Sequence, residues 1–127
     1  MTKLIYVIED IPGILRLACL RLKQAGFNTL TATSVSSGFD LVADDSASPD
    51  LVITDWNLGD GTGLEILQAS WRSNQPKSGY IIFTSEPERT EILEAATTFK
   101  ALVIDKKELL AKEGKTFIET VGKALQD

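Results

Sequence analysis

The stretch PDLVITDWNLGDGTG, residues 49–63, decides the fold. Its apolar run Leu51-Val52-Ile53 is typical of a strand that is buried on both faces. Asp55 follows at the end of this strand, and a Gly- and Asp-rich loop comes after it. Ligands of open α/β sheets bind beyond the carboxyl ends of the strands. The stretch therefore favours a parallel sheet with Asp55 at a functional edge.

Outward from this stretch, apolar runs alternate with segments of helical periodicity along the whole chain. The apolar runs predict strands over residues 4–8, 51–54, 80–83 and 101–104, and Leu30 between alternating threonines predicts an edge-like strand over residues 28–32. The segments between them predict five helices. The first runs from Pro12 to a stop at Gly26, and the second covers residues 34–45, with Thr33 or Ser34 as its cap and Phe39, Leu41 and Val42 inward. The third follows Leu64, Ile66, Leu67 and Trp71, the fourth begins at Pro87, and the fifth has a capping box formed by Thr116 and Glu119.

Strands that alternate with helices predict a parallel sheet with helices on both faces. We expect a flavodoxin-like, doubly wound, five-stranded parallel sheet of order 2-1-3-4-5 with five helices, in a single domain over residues 1–127. This order places the first strand beside the third. The ends of those two strands, Glu9-Asp10 and Asp55, would then be neighbours.

The composition excludes several kinds of chemistry. The chain has no histidine and a single cysteine, Cys19, which rules out Ser-His and Cys-His nucleophile pairs and a thiolate metal cluster. Any metal must therefore be held by oxygen, which favours Mg²⁺, Ca²⁺ or Mn²⁺. The net charge of −5 argues against binding to nucleic acid or anionic membranes through the overall field. With no signal-peptide pattern, we expect a cytoplasmic protein.

Four of the predicted strands end in a charged or hydroxyl side chain. The first ends in Glu9 and Asp10, the third in Asp55, the fourth in Thr84 and the fifth in Lys106. Any one of them alone would be a helix cap, a turn residue or a surface lysine. Together, three carboxylates at one edge repel each other unless a cation lies between them. The set therefore predicts a divalent cation, and Mg²⁺ suits a site with few protein ligands.

This ordered set resembles the receiver domains of bacterial two-component response regulators. The resemblance extends from Lys3 to about Leu125, and the matching residues are Glu9, Asp10, Asp55, Trp56, Asn57, Gly63, Thr84 and Lys106. It implies that Asp55 is the phosphoacceptor. It also implies that Asp10, Asp55 and the main-chain carbonyl of Asn57 bind Mg²⁺ directly, with Glu9 acting through water.

The resemblance further implies roles for Lys106 and Thr84. Lys106 would neutralise the phosphoryl oxygens, and Thr84 would bind one of them and move toward it. This movement would switch the face formed by the fourth helix, fifth strand and fifth helix, which binds a downstream protein. The implied donor is a sensor histidine kinase or a histidine phosphotransfer protein, and a homodimer is a further expected partner. The protein would catalyse only its own phosphorylation and dephosphorylation.

Several positions depart from the family pattern. Gly59 and Lys107 stand where proline is common, Ser85 stands where Ala or Gly is typical, and Val103 replaces the usual Tyr or Phe. The segment over 106–116 is several residues longer than usual. Because these departures lie mostly on the output face, we expect an intact chemical site with an atypical readout.

The Gly- and Asp-rich loop after Asp55 also invites comparison with other ligand-binding motifs. An EF-hand that starts at Asp55 would need Gly and Glu where Asp60 and Ile66 stand. The glycine spacing also fails as a dinucleotide fingerprint, and acidic strand ends suit a metal better than a flavin phosphate. The remaining alternative is a pseudo-receiver, a phosphorylation-independent interaction module. The sequence leaves open whether the chain is a whole regulator or one domain of a longer protein.

Overall fold

The computed structural model describes residues 2–44, 46–74 and 78–126, and its centre is a parallel sheet of five strands. The strands in chain order are β1 (Leu4–Ile8), β2 (Asn28–Ala32), β3 (Leu51–Asp55), β4 (Asn57–Leu58), β5 (Gly61–Thr62), β6 (Gly79–Thr84) and β7 (Leu102–Asp105). The helices are α1 (Pro12–Gln24), α2 (Val35–Ala43), α3 (Gly63–Asn74), α4 (Thr90–Phe99) and α5 (Lys115–Ala124), with two 3-10 helices at Lys106–Leu109 and Ala111–Gly114. Within the described ranges, no helix is both long and apolar enough to cross a membrane.

The central sheet has the strand order β2-β1-β3-β6-β7, and every neighbouring pair is parallel. Because β4 and β5 belong to a separate hairpin, β6 and β7 are the fourth and fifth strands of the central sheet. The predicted order 2-1-3-4-5 is therefore confirmed. The registers Ile8↔Thr54 and Thr84↔Asp105 bring the strand ends level with one another.

The core lies on both faces of the sheet. Tyr6 and Ile8 pack with α2, α3 and α4 on one face, whereas Ile5 and Val7 pack with α1 and α5 on the other. Successive residues of a strand point to opposite faces, so a strand covered on both faces needs apolar residues at every position. This explains why the apolar runs in the sequence do not alternate with polar residues.

The Gly- and Asp-rich segment after Asp55, which was predicted as a loop, contains an antiparallel hairpin. Its strands β4 and β5 pair Asn57 with Thr62 and Leu58 with Gly61. The main-chain N–H of Gly63 then donates to the carbonyl of Trp56 over 2.8 Å, where α3 begins. The hairpin thus returns the chain to the end of β3.

Helix α2 has the predicted Ser34 cap but a different inward face. The hydroxyl of Ser34 accepts a hydrogen bond from the N–H of Ser37 over 3.0 Å. The prediction that Phe39 points inward is wrong, because its side chain is 41% exposed. Gly38 is buried instead, where an added Cβ would overlap the Ile66 side chain of α3. The close approach at Gly38 turns Phe39 away from the core.

Two predicted helix starts are also wrong. Pro87 lies in a turn closed by the Arg89 N–H, which donates to the Glu86 carbonyl over 3.1 Å, and α4 begins only at Thr90. Thr116 does not cap α5, because the helix already begins at Lys115 after Gly114, whose φ is 81°. In both places the turn that precedes the helix, rather than the local capping signal, sets the first helical residue.

Candidate functional site

The strand ends of β1, β3, β6 and β7 form the candidate site at the carboxyl edge of the sheet. Glu9 and Asp10 follow β1, Asp55 is the last residue of β3, Thr84 ends β6, and Lys106 follows β7. One carboxylate oxygen from each of Glu9, Asp10 and Asp55 lies within 4.8 Å of the others. The structure therefore brings together the three acids that the sequence places at strand ends.

Lys106 joins two of these acids. Its Nζ lies 2.9 Å from Oε1 of Glu9 and 2.9 Å from Oδ2 of Asp55. The side chains are 11%, 0% and 5% exposed for Lys106, Glu9 and Asp55, so both ion pairs are shielded from water. The ring of Phe83 on β6 lies beside the ammonium group, with its centroid 5.8 Å from Nζ. A shielded ion pair of this kind is costly to break on one side only.

Burial and neighbouring charges shift the pKa values of Glu9 and Lys106. Burial raises the pKa of Glu9 to about 7, the hydrogen bond from Lys106 opposes this rise, and the charge of Asp55 adds to it. Burial alone would lower the pKa of Lys106, but the hydrogen bonds to Asp55 and Glu9 outweigh burial and raise that pKa. Lys106 therefore stays protonated at neutral pH, whereas Glu9 changes protonation in the neutral range.

Glu9 is also held by the backbone of the chain that follows it. Its Oε2 accepts a hydrogen bond from the N–H of Ile11 over 3.2 Å. Ile11 is the N-cap residue of α1 and makes no side-chain cap of its own. The carboxylate of Glu9 thus serves the start of α1 and the site together. The sequence did not predict this contact, although Pro12 at the first helical turn marks where α1 begins.

The backbone at Asp55 is fixed by its neighbours. The hydroxyl of Thr54 donates to the Asp55 carbonyl over 2.9 Å. Gly63 packs against the same carbonyl, and an added Cβ would overlap that oxygen and crowd the Thr54 side chain. Because Gly63 allows this close contact, the hairpin that contains Asn57 lies directly beside the end of β3. Asn57 itself is exposed.

Thr84 is buried, with 1% of its surface exposed, and its hydroxyl is engaged locally. Its Oγ1 accepts a hydrogen bond from the N–H of Glu86 over 2.9 Å. This contact stabilises the turn that leads from β6 toward α4. Ser85, the next residue, is exposed.

Sequence analysis missed the role of Asp60, which lies in the hairpin turn. Its two carboxylate oxygens accept hydrogen bonds from the N–H groups of Val35 and Ser36, over 2.8 and 3.0 Å, at the first turn of α2. These bonds lower the pKa of Asp60. Asp60 thus ties the hairpin to α2 across 25 residues of chain, and no local motif marks such a contact.

The residues present fit a divalent cation. The donors are carboxylate oxygens, which Mg²⁺ and Ca²⁺ prefer. If all are ionised, three carboxylates against one ammonium leave a formal charge of −2 at the site. The raised pKa of Glu9 reflects this crowding of acids in part, since the charge of Asp55 contributes to it. A bound divalent cation would balance the remaining negative charge.

Comparison with known proteins is consistent with this arrangement. A family model described as the response regulator receiver domain matches residues 5–120. The chain is similar to the chemotaxis protein CheY of Pseudomonas aeruginosa, with 29% identity over 94 residues that cover 72% of this chain and 74% of that protein.

Solved structures are similar over nearly the whole chain. The response regulator TrrA of Thermotoga maritima, in complex with Mg²⁺-BeF, has a TM-score of 0.80 and 22% identity, covering 98% of this chain and 100% of that one. The non-phosphorylated HemR receiver domain of Leptospira biflexa has a TM-score of 0.82 and 21% identity, covering 99% of this chain and 96% of that one. At this identity these structures establish the shared fold.

Proposed function

Because the chain belongs to the response regulator receiver domain family, we propose that it accepts a phosphoryl group on Asp55 in two-component signal transduction. The observation that carries this proposal is the pair of 2.9 Å contacts from Lys106 to Asp55 and Glu9, next to the acidic cluster. A cation held against a buried carboxylate at a strand end suits a reaction that builds negative charge there.

The proposed reaction transfers the phosphoryl group to a carboxylate oxygen of Asp55. The new O–P bond forms as the P–N bond to a phosphohistidine breaks, and the leaving imidazole takes up a proton. Since these 127 residues contain no histidine, the donor histidine lies outside them, in a sensor histidine kinase or a histidine phosphotransfer protein. The protein thereby catalyses only its own phosphorylation and dephosphorylation.

Lys106 has the role of positioning and neutralising charge. Before transfer its ammonium orients the Asp55 carboxylate, and during transfer it stabilises the charge on the phosphoryl oxygens. Asp10, Asp55 and the main-chain carbonyl of Asn57 would hold Mg²⁺, with Glu9 acting through water. When bound, Mg²⁺ supplies the positive charge that phosphoryl transfer needs.

Thr84 links the site to the output face in this proposal. Its hydroxyl would bind a phosphoryl oxygen, and the resulting movement would reach the face formed by α4, β7 and α5. Val103 on β7 is half-buried and packs with the α4-side core. Since Val103 replaces the aromatic residue, we propose that the readout to a downstream protein runs through the turn after Thr84.

The direct test is phosphorylation by acetyl phosphate with Mg²⁺, followed by intact-protein mass spectrometry. The wild-type protein should gain the mass of one phosphoryl group, and Asp55→Asn should gain none. Asp40→Asn is the matched control, because Asp40 is an exposed acid on α2, outside the candidate site, and its loss should leave the modification intact. Modification that persists in Asp55→Asn would place the phosphoacceptor elsewhere.

A second candidate, the pseudo-receiver, draws support from two observations. Lys106 already forms ion pairs with both Glu9 and Asp55, and Val103 lacks the aromatic ring of the usual switch. Such a protein would act as a phosphorylation-independent interaction module. The same experiment separates the two functions, because a pseudo-receiver gains no phosphoryl mass under conditions where a control receiver does.

A further inference from the structure

The edge strand β2 has unusual features for an exposed sheet edge. It lies at the end of the sheet, and among the described residues (2–44, 46–74 and 78–126) its strand partner is β1 alone. Its sequence, Asn28-Thr-Leu-Thr-Ala32, contains no charged residue and no proline, the two common means of preventing a strand from pairing with another chain. Leu30, its middle residue, is 43% exposed. The strand is therefore open to a further partner strand.

The hydrogen bonds to β1 determine which backbone groups are available. The N–H of Asn28 donates to the Lys3 carbonyl, and the carbonyl of Ala32 accepts from the Glu9 N–H, each over 3.0 Å. Backbone groups of alternate residues in a strand point to the same side. Asn28, Leu30 and Ala32 therefore face β1, whereas the N–H and carbonyl groups of Thr29 and Thr31 point to the open edge.

We propose that β2 pairs antiparallel with β2 of a second copy of this chain, with Leu30 facing Leu30 across a two-fold axis. In this register Thr29 lies opposite Thr31 of the second copy, and both pairs are of the hydrogen-bonded type. The N–H and carbonyl groups that Thr29 and Thr31 of both copies present at the open edge are then all hydrogen-bonded. The Thr-Leu-Thr centre reads the same in both directions, as an isologous interface requires.

The side chains support the same register. Leu30 is paired with Tyr6 and shares its face of the sheet, which α2 covers. Leu30 and its copy form the non-hydrogen-bonded pair, in which side chains are closest. Thr29 and Thr31 meet on the other face, and Thr–Thr pairs are favourable cross-strand neighbours.

A second copy fits this edge better than an unrelated strand because the open groups and side chains are self-complementary. The antiparallel pairing also points the carboxyl edges of the two sheets, and with them the two Asp55 sites, in opposite directions, so that both stay accessible. The contact involves one short strand from each copy, which predicts a weak, reversible dimer.

Sedimentation equilibrium from about 10 µM to about 1 mM protein tests the association, because weak interfaces dissociate in this range. The wild-type protein should dimerise with rising concentration, and Leu30→Lys should weaken dimerisation at least about tenfold by placing two charges face to face. Leu110→Lys is the matched control, since Leu110 is 72% exposed and follows β7, the strand at the opposite end of the sheet from β2. A wild-type protein that stays monomeric throughout overturns the proposal.

Two further results decide which face is used. Leu93 on α4 is 47% exposed, so association that is lost in Leu93→Lys and kept in Leu30→Lys would assign the dimer to the α4 face instead. In a Cys19→Ser background, Leu30→Cys should form an intermolecular disulfide on mild oxidation, because facing residues of a non-hydrogen-bonded pair lie close enough. Equal cross-linking by Leu110→Cys in the same background would contradict the pairing.

Discussion

At the scale of single residues, the site depends on how burial and charge act on Glu9. Its side chain is fully buried, yet it contacts both Lys106 and the N–H of Ile11. A buried carboxylate with incomplete compensation keeps its proton to higher pH than an exposed one. We therefore expect pH to act on this edge of the sheet through Glu9.

We predict a pH-dependent stability that Glu9→Gln removes. The pKa of Glu9 in the folded protein, about 7, lies above its usual 4.5, so the folded state binds this proton more tightly than the unfolded chain. The contribution of Glu9 is complete below about pH 4.5 and is lost as pH rises through about 7, on the order of 2 kcal/mol. Urea unfolding at pH 5 and pH 8 without divalent metal measures it.

The difference in stability between Glu9→Gln and the wild type isolates this residue from other titrating groups. Glu9→Gln should become more stable relative to wild type as pH rises. Exposed Glu88→Gln serves as the control and should show a constant difference. A wild-type minus Glu9→Gln difference that does not vary between pH 5 and pH 8 would contradict the assigned pKa.

At the scale of secondary-structure elements, the β4–β5 hairpin determines how closely the chain returns to Asp55. Gly63 ends the hairpin in contact with the Asp55 carbonyl, whereas Gly59 in its turn has no atom near the position of an added Cβ. Gly59 also lies outside the left-handed backbone region. The two glycines therefore differ in what a methyl group would meet, although they are only a few residues apart.

Gly63→Ala should destabilise the protein by about 2 kcal/mol, because the new methyl group overlaps backbone that cannot move without shifting β3. It should also slow phosphorylation by acetyl phosphate, since the Asp55 carbonyl is displaced. Gly59→Ala should change stability by no more than about 0.5 kcal/mol, and in the favourable direction. Urea unfolding and the rate of mass gain measure both effects, and equal behaviour of the two variants would refute the role of Gly63.

At the scale of the whole molecule, the topology followed from patterns that a chain carries locally. Unbroken apolar runs such as Ile5–Ile8 require a sheet covered on both faces, and alternation with helices then leaves few strand orders. The errors arose where distant contacts override local signals. Gly38 packs on Ile66, which turns Phe39 outward, and the left-handed Gly114 sets the start of α5 ahead of Thr116.

Some features of the candidate site could be predicted from the sequence, and others depend on contacts between distant segments. The strand-end acids could be placed at one edge from the sequence because parallel strands end together. The contact between Asp60 and the first turn of α2 could not be predicted from the sequence. It joins segments 25 residues apart through a turn whose shape the sequence does not specify. The 2.9 Å bridges of Lys106 likewise depend on the path of the chain after β7.

The path from the site to the output face gives the last prediction. Thr84 Oγ1 accepts the Glu86 N–H, and Arg89 pairs with Glu86 and Glu91 over 3.2 and 3.1 Å just before and within α4. If Thr84 turns toward a phosphoryl oxygen, the Glu86 turn loses its acceptor and the start of α4 is released. Beryllofluoride with Mg²⁺, a phosphoryl mimic, should therefore shift the amide resonances of Glu86 and of residues in α4 and β7.

Thr84→Ala separates binding of the mimic from transmission of its effect. The variant keeps Asp55, Asp10 and Lys106, so resonances near Asp55 should still respond to beryllofluoride. The resonances of α4 and β7 should respond much less, because the variant has no hydroxyl that could leave the Glu86 N–H and bind the phosphoryl mimic instead. If the α4 and β7 shifts in Thr84→Ala match those of the wild type, Thr84 is not the link. The signal would then have to pass along the direct strand contact between β6 and β7, where Ile82 faces Val103.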